Sequence, residues 1–165
     1  MLSFASRATF DPTRPHVLVI ACSDGRLQEA VDEFLGQLGI QRYDRLYAPG
    51  GPGALATSGL DYLRSGLFHK ECQFLVDAHD LEEVILLFHG PALDGPPSAV
   101  CADYRRKRPR GDAAALRELQ EADVEAILRD GFGWQRQIRV RVFRAEVRAD
   151  LRIQFVLLSD SATAR

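Results

Sequence analysis

From residue 16 onward the chain alternates short apolar runs with segments of helical periodicity. Val17-Leu18-Val19-Ile20-Ala21 has the pattern of a strand buried on both faces of a parallel sheet, and predicts a strand over 16–22. Leu27, Ala30, Val31, Phe34, Leu35 and Leu38 then share one helical face, predicting a helix over 26–38 that stops near Gly39. A short strand at 44–48 runs into Pro49-Gly50-Gly51-Pro52-Gly53, a turn whose glycines permit close backbone approach by a ligand. Apolar spacing over 54–79 predicts a helical region in two pieces broken near Gly66. Leu55, Leu60, Leu63 and Leu67 belong to the first piece; Cys72, Leu75 and Val76 belong to the second. Glu83-Val84-Ile85-Leu86-Leu87-Phe88 is a third buried strand, closed by His89-Gly90. Residues 91–97, rich in proline and glycine, are irregular.

Asp112 is a helix N-cap for about 113–129, and Gly131 and Gly133 end that helix. Over 137–147 apolar and polar residues alternate, with Ile138, Val140, Val142 and Ala145 facing the core and arginines opposite. Arg148-Ala149-Asp150 reads as a hairpin turn into a second alternating stretch, 151–158. These two form an antiparallel pair at the sheet edge. The basic run Arg105-Arg106-Lys107-Arg108 reads as a solvated helix end. Strands alternating with helices call for parallel pairing and right-handed crossovers. The expectation is an α/β fold: a mostly parallel sheet in strand order 2-1-3-4, an antiparallel edge strand, and helices on both faces. Residues 1–15 form an N-terminal arm and 16–160 a single domain.

Composition narrows the class. At 165 residues the chain can bury a substantial core. No apolar run approaches the ~20 residues of a membrane span, and a net charge of -2 offers no general attraction to nucleic acid or anionic membrane. The first fifteen residues lack the apolar segment of a secretory signal. Three cysteines make no disulfide framework. A cytoplasmic protein, with no nucleic-acid or membrane partner, is expected.

The chemistry gathers where the first strand breaks into Cys22-Ser23-Asp24-Gly25-Arg26. If strand one is central, the winding reverses between strands one and three, and ligands bind at the carboxyl ends of such strands. Those ends carry Cys22 and His89. A thiol and an imidazole there suit a zinc ion, which takes sulfur and nitrogen donors. They also suit a nucleophile and its base, or Cys22 is simply a small buried hydrophobe. Two other cysteine signatures fail on spacing. Three residues separate Cys22 from Arg26, fewer than a phosphatase cradle needs, and position 25 is glycine where a thioredoxin-type pair needs its second cysteine.

The run Cys22-Ser23-Asp24-Gly25-Arg26 resembles the Cys-x-Asp-x-Arg signature of the β-class carbonic anhydrases, and it stands in the same context, after a buried strand and opening a helix. Pro49-Gly50-Gly51 occupies the place of that family's Asn-Ala-Gly-Asn turn, and His89 that of its zinc-binding histidine. The resemblance covers about residues 15–158. It implies reversible hydration of CO2 to bicarbonate, a zinc ion held by Cys22 and His89, an Asp24–Arg26 dyad, substrate contacts from Gly50 and Gly51, and a homodimer.

One position departs. The family's His-x-x-Cys signature places a third ligand at position 92, which here is Ala92. The next cysteine, Cys101, lies twelve residues beyond His89, across a loop with three prolines. The third donor is open between Cys101, Asp24 (which ligates zinc in an inactive closed state of some members) and none. Activity is therefore expected to be reduced or absent. A non-catalytic binding or regulatory module with a degraded zinc site is the rival, and a metal-free enzyme using Cys22 is a third. His16, His69, Cys72 and His79 stay outside the site.

Overall fold

Five strands form one sheet in the order β2-β1-β3-β4-β5. They are β1 (Val17–Cys22), β2 (Asp44–Ala48), β3 (Glu83–Pro91), β4 (Arg139–Val147) and β5 (Ile153–Ala162). The first four run parallel and β5 returns antiparallel along the edge, as the alternation of patterns implied. The helices are α1 (Gln28–Gln37), α2 (Tyr62–His79), α3 (Ala102–Lys107) and α4 (Ala113–Asp130). The structure is a computed structural model, and it describes residues 3–58, 62–130 and 137–162. Leu60, Gly131 and Gly133 lie outside the described residues.

The period-2 geometry of a strand sorts the core into two layers. Leu18 and Ile20 of β1 face one way, with Val84, Leu86 and Phe88 of β3, and meet α2 and α4 through Phe68, Val76, Leu116 and Val124. Val19 and Ala21 face the other way, with Ile85 and Leu87, and meet α1 through Val31 and Leu35. Helices therefore cover both faces, which is why β1 and β3 read as unbroken apolar runs. Asp112 caps α4 as expected, its Oδ1 accepting from the Ala115 amide at 2.8 Å.

Four local expectations change. The helical region is not broken at Gly66: α2 runs straight through it. The interruption lies upstream, where Gly51–Ala54 forms a single 3-10 turn. A glycine in a helix interior costs only about 1 kcal/mol, too little to stop a helix whose inner face is buried. His89 does not close β3, because pairing with β4 carries that strand on to Pro91. Along β4, Arg144 shares the face of Val140 and Val142 and is buried, while Ala145 falls on the opposite face with Phe143. Both faces of β4 are covered, so the arginines are not uniformly exposed.

The basic run is only partly solvated. Lys107 is buried against Asp123, at 5% and 3% side-chain exposure, with Nζ 3.1 Å from the carboxylate. The same Nζ donates to the Gly53 carbonyl and to Ser58 Oγ, each at 2.9 Å, and Tyr104 OH donates to Asp123 at 2.6 Å. Removing one member strands the other in a dry site. Lys107→Met should lower stability by roughly 3–5 kcal/mol, read as a reduced urea midpoint at unchanged m-value; a loss below ~1 kcal/mol would show that Asp123 re-solvates.

Candidate metal centre

β1 ends at Cys22, where the Ser23 amide donates to the Ala48 carbonyl at 3.1 Å and turns the chain out of the sheet. Asp24 caps the short 3-10 turn Gly25–Leu27, its Oδ1 accepting from the Arg26 amide at 3.1 Å. The glycine turn after β2 closes on this corner. Gly51 sits at φ 55, and a Cβ there would lie 2.7 Å from the Cys22 amide nitrogen. Gly50, at φ 83, packs its bare Cα against the Asp103 carboxylate. The space beside both glycines is filled from within the chain.

His89 lies two residues past Leu87, the last β3 residue paired with β1. Cys101 is the N-cap residue of α3 and its carbonyl accepts from the Arg105 amide at 2.9 Å. The loop between them turns at 92–95, with the Ala92 amide bound to the Val147 carbonyl at 2.9 Å, then passes through a 3-10 turn at Pro97–Ala99. That path brings Cys101 back to the strand ends. One ligand atom from each of Cys22, His89 and Cys101 lies within 4.8 Å of the other two, and all three residues are buried. Asp24 stands apart from this trio, held by Arg26.

The trio has the features of a metal site. His89 Nε2 is buried and has no hydrogen-bond partner, an unsatisfied polar atom that ordinarily costs free energy. Two thiols and an imidazole are the donor set zinc prefers, and three protein donors leave one coordination position open. The two thiols shift each other in opposite directions. Cys22 is lowered to about 4, first by the hydrogen bond from the Cys101 thiol and then by His89, against the opposing effect of burial. Cys101 is raised, by that same bond to Cys22 and by burial. Metal binding to such a thiol pair is accompanied by loss of protons from sulfur.

Arg26 clamps Asp24 side-on. Its Nε lies 2.9 and 3.1 Å from the two carboxylate oxygens and its Nη2 lies 2.5 Å from Oδ2. Its Nη1 donates to the Ser98 carbonyl at 3.1 Å, which ties the dyad to the loop leading to Cys101. Ser98 carried no signal in the sequence, because a backbone carbonyl is present at every position. A cleft of about 310 Å³ opens here, bounded by Asp24, Arg26 and His89 and by apolar walls that include Leu27, Ala99 and Val147. His16 is exposed before β1. The others sit on α2: Cys72 is fully buried, His69 Nε2 bonds the Leu55 carbonyl at 3.1 Å, and His79 Nδ1 bonds Asp44 at 2.6 Å.

With these positions in place the chain can be compared with solved proteins. It is similar in structure to the carbonic anhydrase of Streptococcus mutans, at TM-score 0.51 and 18% identity, over 90% of this chain and 87% of that one. The fold is β-carbonic-anhydrase-like. Lower scores are found with β-carbonic anhydrase isoform I of Trichomonas vaginalis (TM-score 0.47, 13% identity, 95% and 88% coverage). One of two tetrameric β-carbonic anhydrases of Sordaria macrospora gives TM-score 0.48 at 17% identity, with 92% and 84% coverage. No protein-family model matches the chain, and no curated protein matches it.

The Arg26 clamp holds the Asp24 carboxyl at about 2, the hydrogen bond from Arg26 being the largest cause. A carboxyl depressed in the folded state stabilises the fold above its unfolded value of about 3.9, and that contribution disappears as pH falls toward 2. In Arg26→Ala the Asp24 carboxyl should return toward the ordinary range, observable by carbon NMR of its side chain. Arg26 is 63% exposed, so the stability lost at neutral pH should stay below ~1 kcal/mol. A larger loss would mark the pair as structural.

Proposed function

We propose that this chain is a carbonic-anhydrase-like zinc protein that interconverts CO2 and bicarbonate, with Cys22, His89 and Cys101 as the metal ligands. The observation that carries the reading is the buried trio itself: two sulfurs and an unpartnered imidazole nitrogen converge at the ends of β1 and β3. A zinc ion in such a site supplies a Lewis acid that brings the pKa of water toward 7. In this reading Cys101 takes the place that Ala92 vacates, and the ligand arrives from the N-cap of α3 rather than from the residues just after His89.

The rest of the chemistry belongs to the protein's own side chains. Asp24, kept ionised by Arg26, is a pure hydrogen-bond acceptor at the mouth of the cleft. It orients a donor on the substrate, and at a pKa near 2 it is too weak a base to take a proton to completion. Arg26 holds the carboxylate away from the trio and keeps the cleft open. Gly50 and Gly51 act by letting their turn press against Cys22 and Asp103. The apolar cleft walls favour a small nonpolar molecule such as CO2. The reading includes a homodimer, consistent with Leu151 lying exposed at the cleft. Among the described residues no helix is long and apolar enough to cross a membrane.

Metal content and CO2 hydration measured together test this. Wild type should purify with one zinc per chain and hydrate CO2. Cys101→Ser should lose zinc by orders of magnitude in affinity, because a bond and a compensating negative charge go together. Ala92→Cys should leave zinc content unchanged. A zinc-free wild type that gains the metal only in Ala92→Cys would establish the degraded-site alternative, and retention of zinc in Cys101→Ser would point to Asp24.

A further inference from the structure

β3 outruns its neighbour. Its ladder with β1 stops where Ala21 meets Leu87, whereas its ladder with β4 continues through His89, Gly90 and Pro91. The segment that carries His89 is therefore held by strand pairing on one side only. Side chains from α4 and β4 supply what the missing strand does not. Gln120 Nε2 donates to the His89 carbonyl at 2.8 Å, and Arg144 Nη2 donates to the Pro91 carbonyl at 3.2 Å.

The two side chains also fix each other. Arg144 Nε donates to Gln120 Oε1 at 2.9 Å. A guanidinium can only donate, so the amide must turn its oxygen to Arg144 and its NH2 to His89. Arg144 is anchored in turn by Glu146, with Nη1 to Oε1 at 2.7 Å, and Arg117 Nη1 reaches the same oxygen at 3.0 Å. Gln120, Arg144 and Glu146 are all buried. A Cβ on Gly90 would lie 2.8 Å from Arg144 Nη2, so glycine next to the histidine is what lets the guanidinium lie against the strand.

Burial makes this arginine costly, and it lowers its hold on its proton. An apolar residue of similar volume would fill the same space at no loss of stability in many proteins. The polar set is better accounted for by what it touches: two consecutive-but-one carbonyls flanking Gly90, on the side where β1 has ended. We propose that Gln120 and Arg144 are positioning residues for His89, setting the main chain of β3 beyond β1 so that the imidazole meets the sulfurs of Cys22 and Cys101. The inference rests on the metal reading above and names groups that touch neither metal nor substrate.

Gln120→Glu separates positioning from packing. The substitution keeps the volume and keeps an acceptor for Arg144, but removes the donor to the His89 carbonyl. The metal-free variant should keep the wild-type circular dichroism spectrum and unfold cooperatively, at a lower temperature because the His89 carbonyl has lost its donor. Its zinc affinity, measured by competition with a chromophoric chelator, should fall roughly 10–100-fold, the usual cost of losing a partner that orients a ligand. The absorption bands of the cobalt(II)-loaded protein should shift as the imidazole moves. Unchanged affinity with an unchanged cobalt spectrum overturns the proposal. If Gln120→Glu does not fold, Arg144→Lys is judged by the same two readouts, since it keeps the charge for Glu146 and loses the fork that orients Gln120. A wild type without zinc affinity overturns the metal reading and this inference with it, whereas loss of the effect in the variants overturns this inference alone.

Discussion

The site depends first on the parallel pairing of β1 with β3. Val19 and Ile20 on one strand, and Ile85 and Leu86 on the other, are fully buried, each contributing about 1.5–3 kcal/mol relative to exposure. Because the pattern alternates between two covered faces, a slip of one residue would exchange every side chain between the layers. The register Ala21 to Leu87 is therefore strongly specified. Cys22 and His89 follow directly from it, one and two residues beyond the last pair. The sheet's apolar core does the positioning, and the reactive groups ride on its ends.

α4 then links the two segments that the sheet leaves less supported. Gln120 and Asp123 are three residues apart and so adjacent on one helical face, beside Leu116, Val124 and Ile127, which pack into the core. Gln120 reaches the backbone of His89. Asp123 accepts from Tyr104 and pairs with Lys107, both on α3, the helix that begins just after Cys101. One helix face thus braces the histidine strand with one residue and the second cysteine's helix with another. In the second case a buried charge is matched by an opposite charge and a further hydrogen bond, the condition under which a buried ion is tolerable.

The sheet was legible in the sequence because β1 and β3 are buried on both faces, and because α1 and α4 show 3.6-residue spacing. α2 shows almost none, and its region was the helical one misread. β2 is a five-residue strand bounded by a proline-glycine turn, and its limits agree with the pattern. Cys22 and His89 were legible because topology places the ends of β1 and β3 together, whereas the Asp24–Arg26 pair was legible through the resemblance carried by the Cys-x-Asp-x-Arg run. Cys101 was readable only as one option. Its approach depends on a path through Pro91, Pro96 and Pro97 that has no periodicity to read. Lys107, Gln120 and Arg144 were missed because hydropathy treats a charge or amide as a surface residue. Their burial follows from partners distant in sequence, such as Asp123 for Lys107, and no local pattern announces such a pairing.

In the metal reading proposed above, magnitudes decide between a lost ligand and a moved one. Placing the second sulfur twelve residues after His89 rather than three lengthens the closed loop fourfold. At about 0.6 kcal/mol per doubling, that costs roughly 1.2 kcal/mol in closure entropy, and three prolines in the loop reduce the freedom there is to lose. Structural zinc binding in small peptides is worth about 10–16 kcal/mol. The longer loop is therefore a small tax on a large term, provided that something holds its far end. α3 does so: its Lys107 is pinned to Asp123 and to the Gly53 turn, and its Asp103 packs against Gly50 and pairs with Arg64 and Arg106. Cys101 sits at the start of a helix fixed at several points, so its sulfur is as well determined as one carried directly by the strand. The Arg26 bond to the Ser98 carbonyl draws the loop to the dyad as well, so the segment that leads to Cys101 also forms one wall of the cleft.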